Sequence, residues 1–252
     1  MKTSAGSLVV FVLATIAYFV AKFYLVDSHM NTSGSLGMII QLVYFAAIII
    51  YQIVINISTT SDLCNGVPQV IPAIMYTIIP NFLIFGTLVM LLEIFPGWKS
   101  PFSNTIGFMI VNLFMSVSES FNDLLATKGS HLIEKICSDK SILINEITHI
   151  NFESFFERMS RDGLLIPKYK SNAAYNRLWE CVAVKNIVSE GLWYLLTGIL
   201  VITTTYNALL EIQGSCSYSD TESQYNKDEF QRQQDEIKKT EEKNKVYYTQ
   251  KS

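Results

Sequence analysis

Long apolar runs, separated by short polar stretches, dominate the pattern of hydrophobic and polar positions in this chain. Four runs, residues 8–26, 36–57, 73–95 and 191–210, are about 19 to 23 residues long, the length that a helix needs to cross the hydrocarbon core of a bilayer. A shorter run at residues 102–117 also contains Ser, Thr and Asn, and is either a fifth crossing or a re-entrant or interfacial helix. The pattern predicts an all-α, polytopic integral membrane helix bundle with four or five spans.

The first run follows Lys2 and therefore has the outline of a secretory signal. It is longer than a typical signal core, and the residues after Ala21 do not form a small-x-small cleavage site, so a retained signal anchor is favoured. Lys22 lies near the end of this run. We expect its long side chain to reach the lipid headgroups.

Five polar residues interrupt the second and third runs: Gln41, Gln52, Asn56, Asn81 and Glu93. Amides at such positions usually form hydrogen bonds between helices, and the alternative is a path for an ion or a substrate. We favour the first interpretation. Glu93 lies two residues from the end of its run, where its carboxylate is expected to reach water rather than act as a buried proton relay.

A proline and a turn shape the third run. Pro80 lacks an N–H and is expected to bend the helix, leaving a carbonyl one turn back without its donor, and the adjacent Asn81 is placed to help satisfy the exposed backbone. Directly after the run comes a turn that predicts a membrane-interface anchor, with aromatic and cationic side chains at headgroup depth. This turn contains Pro96, Gly97, Trp98, Lys99 and Pro101.

Residues 118–190 form the large polar region between the apolar runs, and their pattern is helical. Ser116 and Glu119 have the spacing of a capping box, a later helix is expected to end near Gly163, and Ser171 is expected to cap a third helix. The middle helix carries four apolar side chains on one face, namely Phe152, Phe155, Phe156 and Met159. This face either packs in the core of a small domain, lies on the membrane or binds a partner protein, and we treat it as a candidate partner face.

Composition changes after the last run. The whole chain is 50% hydrophobic and only 16% charged, whereas a soluble domain carries about 25% charged residues, and 15 of its 41 charged residues lie between Asp220 and Lys251. The segment 211–252 is therefore interpreted as a charged tail that is flexible or transiently helical. The predicted organisation is an N-terminal transmembrane region at 1–117, a polar helical domain at 118–190, a last span at 191–210 and this tail.

Motifs for chemistry are scarce. His29, His131 and His149 lack paired metal-ligand spacing, and no phosphate-binding or nucleophile motif occurs, so we expect neither an enzyme nor a cofactor, metal or small-molecule substrate. The net charge of −3 gives no nucleic-acid signature. Four scattered cysteines are free thiols or form at most two bridges, and a glycosylation pattern occurs at Asn31. The cysteines are Cys64, Cys137, Cys181 and Cys216.

The segment LEIFPGWKSPFSNTIG, residues 92–107, resembles a segment of membrane proteins from large double-stranded DNA viruses of the chlorella-virus and giant-virus type. The succession of spans, helical insert and charged tail is similar in outline. The resemblance implies a minor capsid or inner-membrane virion protein, localised in the internal membrane of the particle. It also implies capsid or other virion proteins as partners besides the lipid bilayer.

Two functions are therefore weighed. The first is a structural protein that anchors the internal viral membrane to the capsid shell through its polar helical domain and tail. The second is a membrane channel or transporter that uses the polar residues within the spans. We favour the anchor, because the polar residues inside the spans are uncharged or terminal and no inverted repeat is visible.

Overall fold

The structure of the protein, a computed structural model, describes residues 2–29, 34–126 and 144–249. Most of these residues are helical, and within these ranges the one strand-like pairing is an isolated antiparallel bridge between Leu125 and Leu165. The predicted all-α bundle is thus confirmed. The pattern at Asn31 and the positions of His131 and Cys137 lie outside the described residues.

Four helices of the described chain are long and apolar enough to cross a membrane, over Gly6–Asp27, Ser35–Leu63, Val70–Ile94 and Ala173–Gln213. They belong to helices that we number in chain order. The first span consists of α1 (Lys2–Lys22) and a π-helical turn (Phe23–Asp27). The second span is α2 (Gly34–Leu63). The third span consists of α3 (Val70–Pro80), a π-helical turn (Asn81–Gly86) and α4 (Thr87–Ile94).

The short apolar run that follows the third span does not cross the bundle. After the third span the chain forms a 3₁₀ turn (Pro96–Lys99), α5 (Ser100–Phe102), a π-helical turn (Ser103–Gly107) and α6 (Phe108–Phe114), and the last two elements belong wholly to this run. A Cβ atom on Gly107 would lie 3.1 Å from the carbonyl oxygen of Lys185, so this segment packs closely along the last long helix. The run is therefore part of the polar domain's packing, which leaves four candidate spans.

A disulfide bond supports the same topology. Cys64, at the end of the second span, is bonded to Cys216, which lies just beyond the last span. The two residues must lie on one face of the membrane, so an even number of crossings separates them. The third and last spans supply these two crossings, and a crossing by residues 102–117 would make the number odd.

The bundle buries an aromatic core and exposes apolar side chains outward. Its buried residues are Phe11, Tyr18, Phe19, Tyr44, Ile48, Phe85, Leu88, Leu92, Tyr194, Val201 and Ile202. On the outer surface, Leu42 is 72% exposed and Phe82 is 76% exposed. Large apolar side chains that face outward along whole helices are typical of a surface that lipid covers.

The polar domain has its own core, which corrects the prediction of a partner face. α7 (Val117–Leu124) and α8 (Phe152–Arg161) pack against the first turns of the last helix. Phe152, Phe156 and Met159 are buried in this core, and Phe155 is partly buried against it. Of the alternatives weighed from the sequence, the core of a small domain is therefore the one observed, because neighbouring aromatic rings cover the face.

The last helix, α9 (Ala173–Thr249), is a single helix of 77 residues. At 1.5 Å per residue it is about 115 Å long. Three segments that the sequence pattern separated, the end of the domain, the last span and the tail, are therefore one continuous element. The helix begins two residues after Ser171, because the side chain of Asn172 accepts a hydrogen bond from the N–H of Ala174 at 2.9 Å and serves as the cap.

Candidate functional site at the junction of bundle and polar domain

A cluster of buried charges lies where the bundle meets the polar domain. Glu190, on α9, accepts a hydrogen bond from the Nζ of Lys22 at 2.8 Å and from the Nζ of Lys99 at 3.1 Å, with one carboxylate oxygen for each. The side chain of Glu190 is 7% exposed, and those of the two lysines are 15% and 14% exposed. One carboxylate therefore ties the end of the first span and the turn after the third span to the last span.

This arrangement corrects two expectations. Lys22 and Lys99 were expected to reach the headgroups, yet both are largely buried and point to the same carboxylate. Charged groups this poorly hydrated persist only when they are paired, which explains the three-membered arrangement. The residues act as a junction between helices rather than as lipid anchors.

Two further hydrogen bonds hold the predicted interface turn against α9. The hydroxyl of Ser189 donates to the carbonyl oxygen of Lys99, and the indole N–H of Trp193 donates to the carbonyl oxygen of Trp98 at 2.9 Å. The rings of Trp98 and Trp193 lie 6.2 Å apart. Trp98 remains 48% exposed, as suits an interfacial aromatic residue. In the same turn, Pro96, Gly97 and Pro101 are exposed.

The polar domain is bonded to this junction from its other side. The indole N–H of Trp179 donates to the carbonyl oxygen of Asp27 at 2.9 Å, which joins the domain to the end of the first span. Lys185 is 1% exposed, and its Nζ donates to the carbonyl oxygen of Ile144 at 2.5 Å. The Trp179–Asp27 bond thus connects bundle and domain in addition to the helix that they share, whereas the Lys185–Ile144 bond lies within the domain.

Inside the bundle, the polar residues singled out from the sequence are paired across helices. Gln41 donates to the hydroxyl of Tyr194 at 2.9 Å, Asn81 donates to the Oε1 of Gln52 at 2.6 Å, and Asn56 donates to the Oγ1 of Thr77 at 2.7 Å. These are the contacts expected of interhelical hydrogen bonds. Glu93 lies exposed at the end of α4.

The carbonyl oxygen that Pro80 leaves without its usual donor is bonded by a residue that the sequence did not suggest. Pro80 cannot donate to the carbonyl oxygen of Tyr76, four residues earlier, and the hydroxyl of Thr205 on α9 donates to that oxygen at 3.1 Å. Asn81 bonds the next carbonyl, that of Thr77, at 2.9 Å. The freed backbone of the third span is therefore satisfied by a neighbouring helix and by the amide predicted from the sequence.

Sequence reasoning missed Glu190 as a functional residue, although a signal existed. Lys22 ends the first span, Lys99 follows the third and Glu190 precedes the last, so a four-span topology brings all three to one face of the membrane. Two cations and one anion meeting at one face are expected to pair. The undecided run at residues 102–117 hid this signal, since a fifth crossing would have moved Glu190 to the opposite face.

The junction is suited to holding helices together. Within the described ranges, no group of three or more His, Cys, Asp or Glu side chains is placed to hold a metal ion. The fold and junction define the class as an all-α protein with four helices able to cross a membrane and a helical domain joined to one end of the bundle. No protein-family model, curated protein or solved structure matches this chain.

Proposed function

We propose that this protein is a structural membrane anchor that connects a lipid bilayer to a protein assembly. One observation supports the proposal above the others. The single helix α9 begins in the core of the polar domain, passes through the bundle and continues as a charged helix beyond Cys216. A continuous helix transmits position and force between the two faces of a membrane.

The two polar parts have separate roles in this proposal. The domain and the tail lie on opposite faces of a four-span bundle, so a shell on one side of the membrane reaches only one of them. Residues 217–249 form about 50 Å of helix at 1.5 Å per residue, enough to bridge a gap between a bilayer and a protein layer. We assign the tail to the shell and the compact domain to the opposite face, where it fixes the anchor.

The proposal that the assembly is a virus particle rests on the resemblance of residues 92–107 to a segment of virion membrane proteins. In that setting the bilayer is the internal membrane of a large DNA virus, and the shell is its capsid. The proposal of an anchor does not depend on this setting. Any protein layer within reach of the tail is compatible with the geometry.

Deletion of residues 217–252, which keeps the Cys64–Cys216 bond, tests the proposal. The shortened chain is expected to insert in the membrane and form the bond, while its membranes no longer sediment with the shell proteins after mild disruption of the particles. The matched control carries a tail of equal length and charge with its residues in scrambled order, and is expected to lose attachment as well. Attachment of the shortened chain at the level of the full-length chain would overturn the proposal.

The channel interpretation has a separate test. The amides that motivated it, Gln41, Gln52, Asn56 and Asn81, each have a hydrogen-bond partner within the bundle. We therefore expect purified protein in liposomes to conduct no more than empty liposomes. A conductance above that level which falls in Glu93→Gln would replace the anchor by a channel.

A further inference from the structure

We draw no further inference here: the strongest candidate, the apolar groove on the outer surface of the bundle between α1, α6 and α9, extends on both sides of the charged junction, and nothing in the described parts of the chain shows what covers it.

Discussion

Glu190 is the residue on which the junction depends. Its carboxylate is shared by Lys22 and Lys99, and all three side chains are mostly buried at the end of the bundle. A buried ion pair adds little net stability relative to a well-packed apolar group, but removal of one partner leaves the other charge without compensation. With two lysines on one glutamate, a single neutral substitution leaves two such charges.

Glu190→Gln is therefore expected to lower the free energy of unfolding by about 2 kcal/mol. This is below the usual cost of breaking a buried pair, about 3 to 5 kcal/mol, because lysines near the membrane surface can extend toward the headgroups. The measurement is denaturant unfolding in mixed micelles. Glu157→Gln, which breaks an ion pair to Lys170 with both side chains about half exposed, is the control and is expected to stay close to the unsubstituted protein. Equal stability of both variants would contradict a structural role for Glu190.

Gly198 leaves room on α9 for the ring of Phe11 on α1. A Cβ atom at this position would overlap the ring of Phe11, which is buried in the bundle core. Gly198→Ala is expected to destabilise the protein by about 1 to 3 kcal/mol through overpacking, measured in the same way. Gly6→Ala, on α1 with open space around it, is expected to be neutral or slightly stabilising. Partial recovery in the pair Gly198→Ala with Phe11→Leu would identify the ring as the cause, and an undiminished loss would contradict it.

At the scale of elements, the proline in the third span is matched to a donor on α9. Pro80 frees the carbonyl oxygen of Tyr76, and the hydroxyl of Thr205 supplies the missing bond. Two features far apart in sequence thus compensate each other. The third span carries its proline where its neighbour offers a donor.

A double-substitution cycle checks this compensation. Thr205→Val is expected to cost about 1 kcal/mol in the unsubstituted protein, in line with interhelical hydrogen bonds in membranes, which are worth about 0.6 to 2 kcal/mol. In the Pro80→Ala background the same change is expected to cost less, because an alanine has a backbone N–H that is able to donate to the carbonyl oxygen of Tyr76. The two free energies of unfolding are compared in micelles. Equal costs in both backgrounds would contradict the link between proline and threonine.

The helices were predictable to different degrees. Residues 8–26 and 73–95 correspond closely to spans observed at Gly6–Asp27 and Val70–Ile94, because twenty apolar residues have few alternatives to a crossing helix. The fate of residues 102–117 was not predictable, since it depends on packing against Lys185 and on the core of the polar domain. The prediction that the apolar face of α8 binds a partner was wrong for a related reason. An aromatic stripe looks the same in sequence whether its own domain or another protein covers it.

At the scale of the whole molecule, the disulfide bond between Cys64 and Cys216 indicates which membrane face is oxidising. Disulfides persist in oxidising compartments and are rare where thiols are kept reduced. We therefore expect the face that carries this bond and the tail to be the oxidising one. The polar domain, in which Cys181 is buried as a free thiol, is accordingly expected on the reducing face.

Sealed microsomes provide the measurement. In a chain whose Cys137 and Cys181 are replaced by Ala, the bond is expected to resist a membrane-impermeant reductant until detergent opens the vesicles, as read by alkylation with a mass-tagged maleimide. Cys64→Ser is the control, in which no bond forms and Cys216 reacts once the vesicles are opened. Reduction of the bond in intact vesicles would place the tail on the reducing face and contradict the orientation.

The continuity of α9 also fixes the rotation of the tail about the helix axis relative to the polar domain. Each residue of a helix turns the chain by about 100°, so the direction in which the tail presents any face is locked in phase with the polar domain across the membrane. Inserting two residues after Cys216, which keeps the bond to Cys64, rotates the tail by about 200°, whereas inserting seven leaves a residual rotation of about 20°. If one face of the tail meets the shell, attachment measured by co-sedimentation is expected to fail with two added residues and to survive with seven. Identical behaviour of the two insertions would contradict this phase relationship. The relationship means that α9 determines the direction in which the tail faces as well as the distance to which it extends.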